Sequence, residues 1–413
     1  MLSCMGSPIK TPSLRFYFAM TTPLDLPAYE TIALVLQGGG ALGAYQAGVF
    51  QGLTEAHIKP NRFSGISIGA LNIAIIAGNA PRKRLARLVE FWETICQPGL
   101  GFAANPFIEQ SLFNLNDTMR QGMSFLSAMN TVIGGQQGFF RPRFPAPSLD
   151  IAGEPDNTSY YDTQPLKETL ERLCDFDRIN SGELHVSVGA VNVRTGNFTH
   201  FDNTQIALKP EHFMASAALP PAFPAIEIEG DYYWDGGLVS NTPLADVLNS
   251  RPRTDTLAFQ VDLWSARGRA PATMNEVSDR IKEIQYSSRT RLITDQLRWT
   301  QHLRVLLSHI LEDIPADVRA QDTYCKLAQE LSSSKRYNVV HLIYRDKPYE
   351  QHYKDYQFSL ATMREHWAAG LQDIHDTLKD PTRLAMPDND SGFVTHDVHG
   401  EEIERSMHKP KTA

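Results

Sequence analysis

The chain has 413 residues, of which 42% are hydrophobic and 21% charged. That is enough apolar material for a real core, and it excludes collagen-like, disordered and disulfide-scaffold classes. The formal charge is 39 − 47 = −8 without any basic block, which argues against nucleic acid as a partner. Four cysteines at positions 4, 96, 174 and 325 lack metal-type spacing and fit a reducing, cytoplasmic compartment. No run reaches the roughly 18–20 apolar residues of a membrane span. The first twenty residues have no apolar segment ahead of a cleavage-like site, so no signal peptide is expected. The length suits one large catalytic domain plus an extension.

In chain order, residues 1–27 are expected to be poorly structured. Ile32–Leu36 is a short apolar run, the pattern of a buried parallel strand. Gly38, Gly39 and Gly40 follow it, then a helix over about Ala41–Ala56. A second strand, Arg62–Ile66, meets Ser67 and an apolar helix that stops at Gly78-Asn79. A right-handed crossover makes the two strands parallel neighbours whose following turns open at one carboxyl edge. Residues 98–150 hold seven of the twenty Phe (Phe102, Phe107, Phe113, Phe125, Phe139, Phe140, Phe144) and six Gly. Such an insertion reads either as a flap over an apolar pocket or as an irregular loop packed on the core. Leu184–Val193 with Asn197–Phe201, and Ile226–Ile228 with Tyr232–Trp234, read as hairpins. Leu257–Leu263 is a further strand. Residues 275–314 read as a helix whose six basic and six acidic residues suit ordinary packing rather than a membrane surface. Tyr337–Tyr344 reads as a strand and Phe358–Leu378 as a helix. Residues 381–413 are polar and expected to be disordered. The division is therefore a catalytic domain at 28–265, a mostly helical extension at 266–380 and a tail.

Gly65-Ile66-Ser67-Ile68-Gly69 is a G-x-S-x-G motif between a strand and a helix. Its small residues allow the sharp turn that exposes a serine hydroxyl at a helix N-terminus; a serine helix cap is the plainer reading. Gly38-Gly39-Gly40-Ala41-Leu42-Gly43 can point successive N–H groups into one concavity. It also fits G-x-G-x-x-G, but the dinucleotide fold needs an acidic residue at the end of the second strand. No Asp or Glu lies between Glu55 and Glu90, and only Arg62 could serve a phosphorylated ribose. Because both turns open at one edge, the glycine-loop amides can form an oxyanion hole beside Ser67. Asp235-Gly236-Gly237 follows Tyr232-Tyr233-Trp234. Desolvation beside aromatics would raise the carboxyl toward useful basicity; alone, the segment reads as a turn.

Together, in this order, these motifs resemble the patatin-like phospholipases over roughly residues 30–265. The segment Ala215-Ser216-Ala217-Ala218-Leu219-Pro220-Pro221-Ala222-Phe223 is also similar to that family. The resemblance implies a three-layer α/β/α fold with a mainly parallel sheet and hydrolysis of lipid acyl esters by a Ser–Asp dyad. It implies Ser67 as nucleophile, Asp235 as base and Gly38, Gly39 and Gly40 as the oxyanion hole, with Gly43, Gly65, Gly69, Gly236 and Gly237 supporting the motifs. Leu42 stands where many members carry Arg or Lys, so a headgroup role for that cation does not carry over. The segment after about 270 resembles an extension found on a bacterial subgroup.

Thirteen histidines are present, and His352, after a late strand, is the best candidate for a conventional triad. His341 lies mid-strand, His366 and His375 sit nine apart, and His396 and His399 fall in the tail. No metal-ligand pattern is found: Asp388–Gly392 resembles a calcium loop with its glycine misplaced. Neither a metal nor a cofactor is expected. The sequence thus describes a cytoplasmic serine hydrolase acting on lipid acyl esters, with a membrane surface as a conceivable location of the substrate. A Ser-His-Asp esterase or thioesterase and a non-catalytic lipid-binding module are the alternatives. Headgroup, acyl length, cleavage position and oligomeric state stay open.

Overall fold

The run Thr31–Leu36 forms strand β1, whose last four residues are buried, as expected for a sheet covered on both faces. The computed structural model describes residues 24–397 other than 25, 98–116, 146, 148–152, 348 and 389. After β1 come a 3-10 turn, Gly40–Gly43, and helix α1 (Ala44–Glu55), then β2 (Arg62–Gly65), α2 (Ile68–Ala77) and α3 (Arg84–Ile95). Helix α4 (Asp117–Gly134) leads to β3 (Arg141–Pro142) and β4 (Tyr161–Asp162), followed by α5 (Gln164–Leu173) and α6 (Phe176–Ile179). Strands β5 (His185–Asn192) and β6 (Phe198–Asp202) precede α7 (Pro210–Ser216), β7 (Ile226–Ile228), β8 (Asp231–Asp235), α8 (Leu244–Asn249) and β9 (Thr256–Asp262). The remainder is α9 (Met274–Asp313), α10 (Ala316–Gln321), α11 (Thr323–Leu331), β10 (Tyr337–Ile343), α12 (Leu360–Leu378) and β11 (Phe393–Asp397).

Nine strands join one sheet in the order β11-β10-β9-β1-β2-β5-β8-β7, with β6 also paired to β5. Pairing is parallel from β11 through β5 and antiparallel for β6, β7 and β8. Alternate residues of β1 feed two cores. Ala33 and Val35 meet Val247, Leu248 and Leu297 on one face. Leu34 and Leu36 join Leu42, Leu71, Trp92 and Trp367 on the other. The fold is therefore the three-layer α/β/α arrangement expected, with a largely helical C-terminal part. Among the described residues no helix is long and apolar enough to cross a membrane.

Three features depart from the sequence expectations. The insertion contains an 18-residue helix, α4; Phe102, Phe107 and Phe113 lie outside the described residues. The region after residue 265 is not simply appended, since β10 and β11 complete one side of the sheet. The expected disorder of 381–413 does not hold for its first part: Pro381–Leu384 is a 3-10 turn and β11 pairs in parallel with β10. The polar composition of β11 is that of an edge strand, where one side needs no apolar cover. Residues 398–413 lie outside the described residues.

Helices α1 and α12 cross closely. A Cβ on Gly48 would strike the Trp367 carbonyl, and one on Gly370 the Tyr45 carbonyl. Tyr45 Oη donates to Asp373 Oδ2 at 2.7 Å and Trp367 Nε1 to Gln51 Oε1 at 2.6 Å. Gly370→Ala should therefore cost about 1–3 kcal/mol by overpacking. Thermal melting checks this, and an unchanged midpoint would mean that the helices do not cross at these glycines.

Candidate active site

Strand β5 brings the two motif residues together. It pairs β2 through residues 185–188 and β6 through 187–191, so β2 and β6 occupy opposite edges. Ala190 and Val191 pair with both β6 and β8, which puts β8 on the same edge as β2. The two strands thus run toward each other along one edge of β5. β2 ends at Gly65 opposite Val188, and β8 ends at Asp235 opposite Ala190. Ser67, just past β2, meets Asp235 in the gap. Gly236 is needed there because a Cβ would come 2.6 Å from the Gly189 carbonyl oxygen.

Ser67 has φ 54° and ψ −127°, a left-handed conformation that is strained for any side chain. Its amide donates to both the carbonyl and the hydroxyl oxygen of Ser216, each at 3.1 Å. The Asp235 amide donates to the Ala218 carbonyl at 3.0 Å. One turn, Ser216–Ala218, therefore holds both residues. The tight turn leaves no room for side chains at Gly65, which faces Ile73 and Ala70, or at Gly69, which lies against the Leu36 carbonyl. Asp235 is 2% exposed. Burial pushes its carboxyl up to about 7, against hydrogen bonds from the Gly237 amide and the Ser67 side chain that pull the other way. The Gly237 amide donates to Asp235 Oδ1 at 2.7 Å.

The glycine loop lies beside Ser67, as the parallel β1–β2 pairing requires. A Cβ on Gly38 would come 2.9 Å from Ser67 Cβ. The Gly38 amide, however, points to the Asn241 carbonyl at 3.4 Å, so Gly38 supplies close approach rather than an unengaged donor. Its own carbonyl accepts from Asn241 Nδ2 at 3.0 Å and Trp264 Nε1 at 2.9 Å. The N–H groups of Gly39 and Gly40 have no acceptor among the described residues. Gly40 has φ 56°, and a Cβ there would strike the Asp355 carbonyl. Gly43 packs on Ile68 and Trp92.

A buried polar frame holds this loop. Gln37 Oε1 accepts from the amides of Leu263 and Trp264, at 2.6 and 3.0 Å. Gln46 Nε2 donates to the Gln37 carbonyl at 2.6 Å, and Asn72 Nδ2 to the Gly43 carbonyl at 3.0 Å. The sequence reading does not single out Gln37, Asn72, Asn241 or Asp355, and it contains Ser216 only within the family-like segment Ala215–Phe223. A lone polar residue inside an apolar run, as Asn72 is in Leu71–Ala77, was the available signal, because a buried amide needs partners.

A cavity of about 280 Å³ opens from Ser67, Asp235 and the glycine loop. Its far wall is aromatic: Phe139, Phe140, Tyr161, Phe223 and Phe358 line it and pack edge-on or tilted against one another. The insertion therefore does reach the site, through Phe139 and Phe140. Among the described residues, no histidine lines this cavity. His352 is instead fixed by its carbonyl, which accepts from Lys282 Nζ at 2.7 Å, and its ring meets Tyr353 edge-on. His366 is fully buried with Nε2 2.6 Å from Glu350 Oε1. Among the described residues, one acidic group could hold a cation, Asp279, Glu283 and Asp346. The buried Lys354 ammonium already lies 3.0, 3.4 and 2.7 Å from those three carboxylates.

A strained serine after a parallel strand thus faces a buried aspartate beside a cavity with an aromatic wall. The family model for patatin-like phospholipases matches residues 34–248, and one described as patatin phospholipase matches residues 284–390. The chain belongs to the patatin-like phospholipase family, whose members act on lipid substrates as acyl hydrolases. No curated protein matches it. Among solved structures, VipD from Legionella pneumophila is similar, at 14% identity over 92% of this chain and 74% of that one, with a TM-score of 0.32.

The raised Asp235 pKa has a consequence for stability. Between its ordinary 3.8 and about 7, the carboxyl keeps its proton in the folded chain and loses it in the unfolded one. Its contribution is therefore full at low pH and lost as pH rises toward 7. Asp235→Asn should gain stability relative to wild type by on the order of 2 kcal/mol on going from about pH 5 to about pH 8. A difference in denaturant midpoint that is independent of pH would contradict the buried, protonatable carboxyl.

Proposed function

We propose that the chain hydrolyses lipid acyl esters through a Ser67–Asp235 dyad. The observation that carries this is the buried Asp235 facing Ser67 in a cavity that no histidine among the described residues lines. Ser67 Oγ attacks the ester carbonyl carbon while its proton passes to Asp235. The tetrahedral oxyanion lies against the Gly39 and Gly40 amides and near the N-terminus of α2, where the helix dipole favours negative charge. Collapse of the intermediate expels the alcohol or lysolipid, which takes the proton from Asp235 and leaves an acyl-Ser67 ester. Water then attacks that ester, Asp235 accepts its proton, and the fatty acid departs as Ser67 is restored. A carboxyl with a pKa near neutrality can both take and return the proton. Gly43, Gly65, Gly69, Gly236 and Gly237 serve by permitting the close approaches described above. The free thiols of Cys96, Cys174 and Cys325 support a reducing compartment, the cytoplasm.

The test separates dyad from triad. Asp235→Asn keeps the shape but cannot accept a proton, so kcat should fall by several orders of magnitude, close to Ser67→Ala. His352→Ala should retain most activity. Wild-type kcat/KM should rise with pH up to about 7, as Asp235 ionises. An inactive His352→Ala beside an active Asp235→Asn would replace the dyad with a triad.

The aromatic wall supports an acyl-chain role for the insertion. Replacing Phe139 and Phe140 by Ser should reduce turnover of long-chain esters more than of short ones. Equal losses on both would assign these rings to packing alone.

A further inference from the structure

Helix α4 is amphipathic in the wrong sense for a helix packed on a water-soluble protein. Its inward side carries the small or polar Ser124, Ala128 and Thr131, all buried. Its outward side carries Met119, Phe125, Leu126, Met129, Val132 and Ile133, exposed by 39–70%. Met119, Leu126 and Ile133 recur every seventh residue and so fall on one line along the helix, and the others widen that line into a stripe. Surface helices normally turn such a stripe to the core, and a contiguous apolar surface of this kind marks an interaction site.

Two observations decide the occupant. The stripe is uncharged: the ionisable side chains of α4 are Asp117, at its start, and Arg120, which pairs with Glu365 and stacks over Tyr349. The stripe also adjoins the acyl cavity, since Val132 is 43% exposed and lines that cavity beside Thr131. Tyr161, another wall residue, donates its hydroxyl to the Val132 carbonyl at 2.7 Å. Nearby, Phe144 is 99% exposed in the segment whose Arg143 amide bonds the Tyr160 carbonyl.

We propose that the outer face of α4, with Phe144, docks on the hydrocarbon boundary of a lipid bilayer so that the cavity mouth at Val132 opens into the membrane. The choice of a bilayer rests on the lipid-hydrolase function proposed above. The stripe on α4 presents no lysine or arginine, and beside Phe144 Arg141 is paired with Asp162 while Arg143 donates to Ser159, Asn157 and the Asp156 carbonyl, so adhesion comes from apolar burial and not from attraction to anionic headgroups. Zwitterionic membranes are therefore sufficient, and salt has little effect on binding.

The full chain should co-sediment with phosphatidylcholine vesicles at low and high salt alike. A Leu126→Ser, Ile133→Ser double variant should lose roughly tenfold or more of that partitioning, since each side chain gives up most of its transfer free energy. Neither residue lines the cavity, so hydrolysis of a short, water-soluble ester should be unchanged. Wild-type chain that hydrolyses the soluble ester but ignores vesicles overturns the docking and leaves the hydrolase standing. Equal vesicle binding by the double variant, or binding confined to anionic vesicles and abolished by salt, also overturns it. A wild-type dimer that the double variant dissociates would assign the stripe to a second copy instead. Vesicle binding that the variant loses, in a chain inactive on the soluble ester, would uphold the docking and reject the hydrolase.

Discussion

The site depends on one constraint: two strands end head to head on the same edge of β5, and the gap between them is buried. β2 delivers Ser67 at a positive φ and β8 delivers Asp235, with Gly236 against the Gly189 carbonyl. An ionised carboxylate in such a place is expensive, so burial raises the pKa of Asp235 to about 7. For the proposed mechanism, this turns a carboxylate that is ordinarily a weak base into one matched to neutral pH. In the proposed dyad, the burial that closes the gap is also what tunes Asp235 as the base.

The C-terminal region belongs to this constraint. Asp355 closes over Gly40 and is held by an ion pair with Lys282 at 2.7 Å. His366 Nδ1 approaches the Ala41 carbonyl at 3.4 Å, while its other nitrogen bonds Glu350, whose carboxylate also accepts from Tyr344 Oη at 2.8 Å. α12 crosses α1 at paired glycines, directly behind the glycine loop. Residues 337–378 therefore back the glycine loop that lines the cavity, and the second family match at 284–390 covers the same stretch.

What could be read in the sequence was what local pattern encodes. Continuous apolar runs ending in glycine gave β1 and β2, and the spacing between them fixed their parallel pairing. The two hairpins and helices α9 and α12 followed from alternation and periodicity. What could not be read depends on long-range pairing. Gly40 requires glycine because of Asp355, and Gln37 earns its place only once Leu263 and Trp264 arrive beside it. Helix α4 was hidden because its apolar side faces outward, so its composition resembled a greasy loop. β11 was hidden because a short polar edge strand looks like a tail. The engagement of the Gly38 amide by Asn241 likewise appears only when residues some two hundred positions apart meet.

The central claim is that Ser67 is an activated nucleophile. Treating the full-length protein with a fluorophosphonate probe and mapping the adduct by peptide mass spectrometry tests it most directly. The account predicts a single labelled serine, Ser67. A label on a different serine, or none on protein that still hydrolyses esters, would contradict it.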